Sequence, residues 1–351
     1  MSRLQAFTIS LAILHLLLWR PTQLSAQNDY FNAEIRALVQ QIIDDSVLQK
    51  YEEAQHLCRE IEEKYPNNPA GYFFRAAVLQ SKMMDYENYD DLDKFFRLTK
   101  RAIRLSRKDI RKNSRNSWPY FFLGASLAYK AFYHFREKDF LQAFRDGWNS
   151  IKTLELALER DPSNYDIYLG IGAFKYYRSK YSRYLKALPF VKDERELGIQ
   201  MIRQTIEHGK FAYSAALNAL IWIYIEEGRY AEAEQLVYQA LSKYPGSRFF
   251  LWGKAAVEYK QKKWAIAAAA YQKILASYQK PNDGGSDYNE MVCYTMLADI
   301  YQKTHQYEKA SLFAQKALQI KLEKPLQKKA KVYWEKAEQI LESNQEVGGA
   351  P

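Results

Sequence analysis

The chain has 351 residues, 48% hydrophobic and 26% charged, a balance that supports a large core and excludes a disordered polymer. With 14 Gly and 10 Pro it is poor in turn residues for a sheet protein of this length, and its 28 Tyr lead an aromatic fraction of 15%, so the composition leans towards helix. The net charge of +10 favours acidic partners and by itself does not indicate nucleic acid.

In chain order, the first 26 residues read as a secretory leader. Arg3 supplies the positive start, and Phe7 to Trp19 is an apolar stretch of 13 residues. At about 1.5 Å per residue this is too short for a bilayer core of roughly 30 Å. Leu24-Ser25-Ala26 offers a cleavage point near Ala26, before Gln27, and no Cys follows it to carry a lipid anchor. The expectation is an exported chain, periplasmic or extracellular after cleavage.

Beyond the leader, one spacing recurs. Tyr51, Ala54, Cys58 and Ile61 share their offsets with Tyr230, Ala233, Val237 and Ala240, with Trp264, Ala267, Tyr271 and Ile274, and with Tyr307, Ala310, Ala314 and Ala317. Steps of three, seven and ten residues put each set on one face of a helix. Pro66 and Pro245 each follow the key Ala by 12 residues, where a helix must stop. Upstream partner helices recur as well: Leu217, Leu220 and Tyr224 match Tyr294, Leu297 and Tyr301. Gly228 stands where a tight turn joins two such helices. Repeat starts fall near residues 35, 69, 117, 165, 214, 248 and 291. The wide steps between 69 and 213 call for longer helices and connections, and residues 280–286 form a loop before the last repeat. An amphipathic helix over 326–343, rich in Lys and Glu, is expected to cap the stack, with 344–351 a frayed tail.

These residues resemble the tetratricopeptide repeat family, in which a large residue at position 4 and small ones at 8 and 20 let two antiparallel helices cross closely. Ala298 and Ala310 fill the small positions in one repeat, while Ile221 departs from the pattern and predicts a looser crossing. The central stretch also resembles bacterial exported repeat proteins, through Tyr120-Phe121-Phe122-Leu123-Gly124, Asp161-Pro162, Tyr165 to Gly172, Leu188-Pro189-Phe190 and Asp193 to Gly198. The resemblance implies an all-α, right-handed superhelical solenoid of about seven helix pairs plus a C-terminal capping helix, filling 27–343. Cys58 and Cys293 lie 235 residues apart at apolar helical positions, so they read as separate core thiols.

Three constellations are candidates for binding. Arg97, Arg101, Arg104, Lys108 and Arg111 step by four and three along one helix face, opposite Phe95, Leu98, Ala102 and Leu105. Asp85, Glu87, Asp90, Asp91 and Asp93 precede them and suit the positive helix start. This stripe reads either as a solvated face or as a dock for an anionic polymer or membrane surface. Tyr177, Tyr181, Tyr184 and Leu188, interleaved with Lys175, Arg178, Lys180, Arg183 and Lys186, read either as packing or as a membrane-surface stripe. The family resemblance, finally, implies that first helices line an inner groove, which places Trp118, Tyr176, Asn218, Trp222, Trp252, Tyr259, Thr295 and Asp299 on its wall. Of the pattern by which some relatives clamp a terminal carboxylate, only Asn218 fits.

His56, His134, His208 and His305 are scattered, and the sequence holds no paired Cys, Gly-rich phosphate loop or nucleophile elbow. The expectation is therefore no catalytic residue, no metal and no cofactor. The partner is expected to be a protein or peptide held in the groove, not a nucleic acid, with a carbohydrate or other small ligand as the alternative occupant.

Overall fold

The computed structural model describes residue 30 and residues 32–182, 192–279 and 285–348. The expected leader, the loop 280–284, and Arg183, Tyr184, Lys186 and Leu188 lie outside them. The described residues form fifteen helices and no strand, the expected all-α superhelix. The chain falls into two compact units, residues 1–37 and 38–351. In the first, the Asn32 side chain accepts the Ile35 amide at 2.8 Å at a helix start.

After α1 (Ala33–Val47) and α2 (Tyr51–Lys64) the helices come in pairs, the first of them α3 (Pro69–Tyr86) with α4 (Leu92–Lys112). Next come α5 (Ser117–Arg136) with α6 (Phe140–Arg160), and α7 (Asp166–Ser182) with α8 (Arg195–His208). They are followed by α9 (Tyr213–Glu226) with α10 (Tyr230–Lys243), and α11 (Arg248–Lys260) with α12 (Trp264–Tyr278). The last pair is α13 (Asp287–Lys303) with α14 (Tyr307–Gln319), and α15 (Lys324–Gly348) follows it. The wide central spacing is helix length: α4, α5 and α6 have 21, 20 and 21 residues, against 14 each in α9 and α10. The last first-of-pair helix starts at Asp287, upstream of the expected 291, because Ser286 caps it by accepting the Asn289 amide. The closing helix runs on to Gly348, past the expected 343.

Within a pair, the turn needs a left-handed residue. Gly228 supplies it at φ 74°, but Gln49, Lys138, Lys262 and His305 adopt φ between 58° and 64° at the equivalent turns. Helix crossings depend on small residues. A Cβ at Gly198 would stand 2.4 Å from the Gly172 carbonyl, so α7 and α8 touch backbone to backbone. Ile221 does not loosen its crossing. It is fully buried, and Gly253 on α11 opposes it with no room for a Cβ, which would meet the Ile221 side chain at 2.8 Å.

The second unit turns back on itself, joined by contacts between residues nearly 200 positions apart. Asp85, expected among the acidic residues ahead of α4, instead sits in the last turn of α3, where Arg248 holds it. The guanidinium donates to both carboxylate oxygens, at 2.7 Å from Nη2 and 3.1 Å from Nε. Arg248 is 2% exposed and lies over the Tyr278 ring at 4.4 Å. Tyr51 donates to the same carboxylate at 3.0 Å. The Asp85 carbonyl, one of the orphan acceptors at a helix end, takes the Tyr278 hydroxyl at 2.8 Å and the Asn289 side-chain amide, from Nδ2, at 2.7 Å. Ser286 closes the next carbonyl, of Tyr86, at 2.8 Å. The end of α1 is met likewise: the Ser247 hydroxyl donates to the Val47 carbonyl at 2.6 Å, and Tyr244 to Asp44 at 2.7 Å. Burial and the adjacent Asp85 carboxylate raise the Tyr51 and Tyr278 phenols well above their ordinary range.

The closing helix α15 seats on α13 through a second ion cluster. Asp299, 5% exposed, accepts from the Tyr259 hydroxyl, from Lys336 of α15 at 2.9 Å and from Lys303 at 3.1 Å. Burial pulls this carboxyl upward, but the Tyr259 hydrogen bond and the two ammonium groups together outweigh it and hold its pKa below the usual range. Cys58 and Cys293 are free and buried, and burial raises both thiol pKa values.

Two predictions follow from these clusters. Asp85→Ala leaves the Arg248 guanidinium buried without its anion and should cost about 3–5 kcal/mol. The check is the urea midpoint, and a loss under about 1 kcal/mol would show that the closure contributes little. Asp299→Asn should cost about 1.5–3 kcal/mol at neutral pH through weakened charged hydrogen bonds. Because the folded carboxyl is depressed, its contribution is present above about pH 4 and vanishes as the pH falls through the lower folded value. Thermal melts from pH 7 to pH 2 should therefore show the two proteins converging in stability at the acid end. A gap that persists there would exclude ionisation as the cause.

Candidate functional site

The inner wall of the second unit is made by the first helix of each pair: α3 touches α5, α5 touches α7, α7 touches α9 and α9 touches α11. Where these helices converge with the end of α1, they leave a cavity of about 290 Å³. Its space comes from small side chains facing inward, namely Ala77 on α3, Ala125 and Ala128 on α5, Gly170 and Ala173 on α7, and Ala215 on α9. Its walls are large and apolar: Ile42 and Val47, Phe73 and Phe74, Phe121 and Tyr129, Ile167 and Leu169, with Phe211 and Phe249. Ala128 and Ala215 are exposed, so the cavity opens to solvent beside them.

Polar groups at the cavity are few, and one is fixed in place. Asp166, 3% exposed, opens α7 and accepts the amides of Phe211 and Ala212 at 2.9 and 2.8 Å, which holds the Phe211 ring against the wall. Burial raises the Asp166 carboxyl pKa despite these bonds. With its lone pairs engaged by backbone, this carboxylate shapes the wall. The surface that remains favours apolar contact.

The residues expected on the inner wall do not form one groove. Trp118 is half-buried with its ring against Phe121 and Phe211, at 5.5 and 5.7 Å, directly behind the cavity. Asn218 and Trp222 are half-buried on α9, with Trp222 packed on the core of α9 to α11. Trp252 is half-buried edge-on to Tyr271, and Tyr259 is half-buried and bonded to Asp299. Tyr176, Thr295 and Asp299 depart from the expectation: all are buried. Tyr176 is sealed between helices and donates to Glu227 at 2.7 Å, while α15 covers the inner positions of α13 and meets Thr295 and Asp299 there. The cavity residues were missed because Ala and Gly on a helix read as crossing points. The signal available was their recurrence on successive first helices.

On α4, Arg97, Arg104, Lys108 and Arg111 are exposed, and Lys100 and Arg107 join them. Arg101 differs, half-buried over the Tyr72 ring at 5.3 Å with its guanidinium donating to the Pro66 carbonyl at 3.4 Å. Tyr177 and Tyr181 stack on one another at 6.0 Å, and of the cations interleaved with them Lys175 and Arg178 pair with Glu194 and Lys180 with Glu226; Arg183, Tyr184, Lys186 and Leu188 lie outside the described residues.

Residues 249–323 match the tetratricopeptide repeat family model. Among curated proteins none matches the chain in sequence. Among solved structures, it is similar to the APC/C hetero-tetramer Cut9–Hcn1, at 11% identity over 87% of this chain and 51% of that one, with a TM-score of 0.51. It is also similar to the C-terminal part of a repeat-containing protein from Cytophaga hutchinsonii, at 19% identity over 84% and 98% of the two chains, TM-score 0.43. A third is IFIT1 with Gppp-AAAA, at 15% identity over 85% and 68%, TM-score 0.44. Residues 249–323 are tetratricopeptide repeats, and the described chain is an all-α superhelix of the tetratricopeptide type, a fold that generally mediates protein–protein interaction.

Proposed function

We propose that this chain is an exported, non-enzymatic scaffold of the cell envelope that holds a protein partner by an apolar segment seated in the inner cavity. The observation carrying the reading is the cavity itself, an apolar concavity walled by aromatic rings from successive first helices and open beside Ala128 and Ala215. At about 290 Å³ it accommodates large apolar side chains rather than a long extended peptide. The fold supports a protein as partner, since tetratricopeptide superhelices generally work by binding proteins. Export rests on the leader pattern of the first 26 residues.

The same lining narrows the alternative. A sugar needs directed hydrogen bonds for its hydroxyls, and few groups here offer them, so a small ligand at this site would itself be apolar. The two occupants separate in one experiment on the chain from Gln27 onward. Filling the cavity with Ala128→Phe and Ala215→Leu, both at exposed positions, should leave the melting temperature within a few degrees. Binding to immobilised peptides bearing Leu and Phe anchors should fall roughly tenfold or more. Trp118 emission, which senses Phe211 and Phe121, should shift with peptide in the parent and stay still in the filled variant. A shift with a fatty acid but with no peptide favours the small ligand, and unchanged peptide affinity in the filled variant moves the site elsewhere.

A further inference from the structure

The tip between α5 and α6 carries large apolar side chains that no part of the described chain covers. Phe135 is 64% exposed, Phe140 58%, Leu141 82%, Phe144 71% and Trp148 48%. At about 100° per residue, Phe140, Leu141, Phe144 and Trp148 occupy a single arc of α6 over its first three turns. Phe144 stacks on Trp148 at 6.4 Å and Phe135 meets Phe140 edge-on at 5.6 Å, so the patch is contiguous and ordered by its own rings. An apolar cluster of this size on a surface marks contact with another phase or molecule.

What surrounds it is basic. Arg145 and Lys152 flank the arc, with the Lys152 ammonium over the Trp148 ring at 5.1 Å. Arg145 also lines a cleft shared with Lys100 and Arg107 of α4. The patch is therefore continuous with the stripe of Arg97, Arg104, Lys108 and Arg111. Among the described residues none of these α4 cations forms an ion pair. The nearby carboxylate of Asp146 is buried and held by Lys130 at 3.0 Å, which leaves Glu137 and Asp139 at the tip as the exposed acidic groups.

We propose that this face, the α5–α6 tip with the outer side of α4, docks on an anionic phospholipid surface. The composition is that of a bilayer interface: the rings and Leu141 are exposed, and exposed Lys and Arg side chains border them. The unpaired α4 stripe supplies the attraction, each cation near an anionic surface strengthening partition by about fivefold. Among the described residues no helix is long and apolar enough to cross a membrane, and this face needs none, since it lies along the surface. A protein partner is the rival, and it would require a pocket fitted to these rings. The proposal stands apart from the inner cavity, whose lining includes none of these residues.

The test is co-sedimentation of the chain from Gln27 onward with vesicles of equal parts phosphatidylcholine and phosphatidylglycerol, beside vesicles of phosphatidylcholine alone. The parent should bind the anionic vesicles, bind the neutral ones at least tenfold more weakly, and be released by salt. Phe140→Ser with Leu141→Ser and Phe144→Ser, and separately Arg104→Glu with Arg107→Glu, should each weaken binding roughly tenfold while leaving the circular dichroism spectrum and melting temperature unchanged, because every altered side chain is exposed. Bromine on the lipid chains should quench the parent more than Trp148→Phe. A parent that ignores anionic vesicles, or variants that bind them as well as the parent, would overturn the proposal. A defined protein captured by this face in place of vesicles would also overturn it.

Discussion

A helix that ends inside a protein leaves carbonyls that must find donors, and in this chain the donors for two helix ends come from the far side of the molecule. The last turns of α1 and α3 are met by Ser247, Tyr278, Ser286 and Asn289, and the Asp85 carboxylate among them is held by Arg248. One ion pair thus decides the geometry of the second unit. It ties the early repeats of that unit to the late ones. The excess of tyrosine finds a reason here: a phenol buries its ring and delivers a hydroxyl at its end, as Tyr51, Tyr244 and Tyr278 all do.

The interlock between neighbouring helices is the second constraint, and it is conserved in volume rather than position. Where Ile221 takes a place suited to a small residue, Gly253 on the facing helix gives way; where α7 and α8 cross, glycine stands on both sides. Large-to-small exchange across a crossing keeps the packing density constant, so the superhelix continues with an irregular repeat.

Periodic features were legible in the sequence and isolated ones were not. The offsets of Tyr51, Tyr230, Trp264 and Tyr307 placed four second helices, and the first helices near 69, 117 and 248 start at Pro69, Ser117 and Arg248. Of the left-handed turns only Gly228 was visible, because Gln49, Lys138, Lys262 and His305 enter that region by tertiary constraint and not by propensity. The meeting of Asp85 with Arg248 left no local trace at all: a single contact across 163 positions has no period, and Asp85 looked like one more acid before a basic helix. The same blindness misplaced Tyr176, Thr295 and Asp299, whose register fitted an inner wall that other helices in fact cover. The small residues of the cavity were in view but carried the same meaning as any close crossing.

An open solenoid behaves as a spring: it stretches to admit cargo and frays from either terminus, each module answering only to its neighbours. Tying the first coils to the last removes that compliance. Strain introduced at any one module of the second unit is then shared across these ties, so that unit should yield as a single body and not peel from an end.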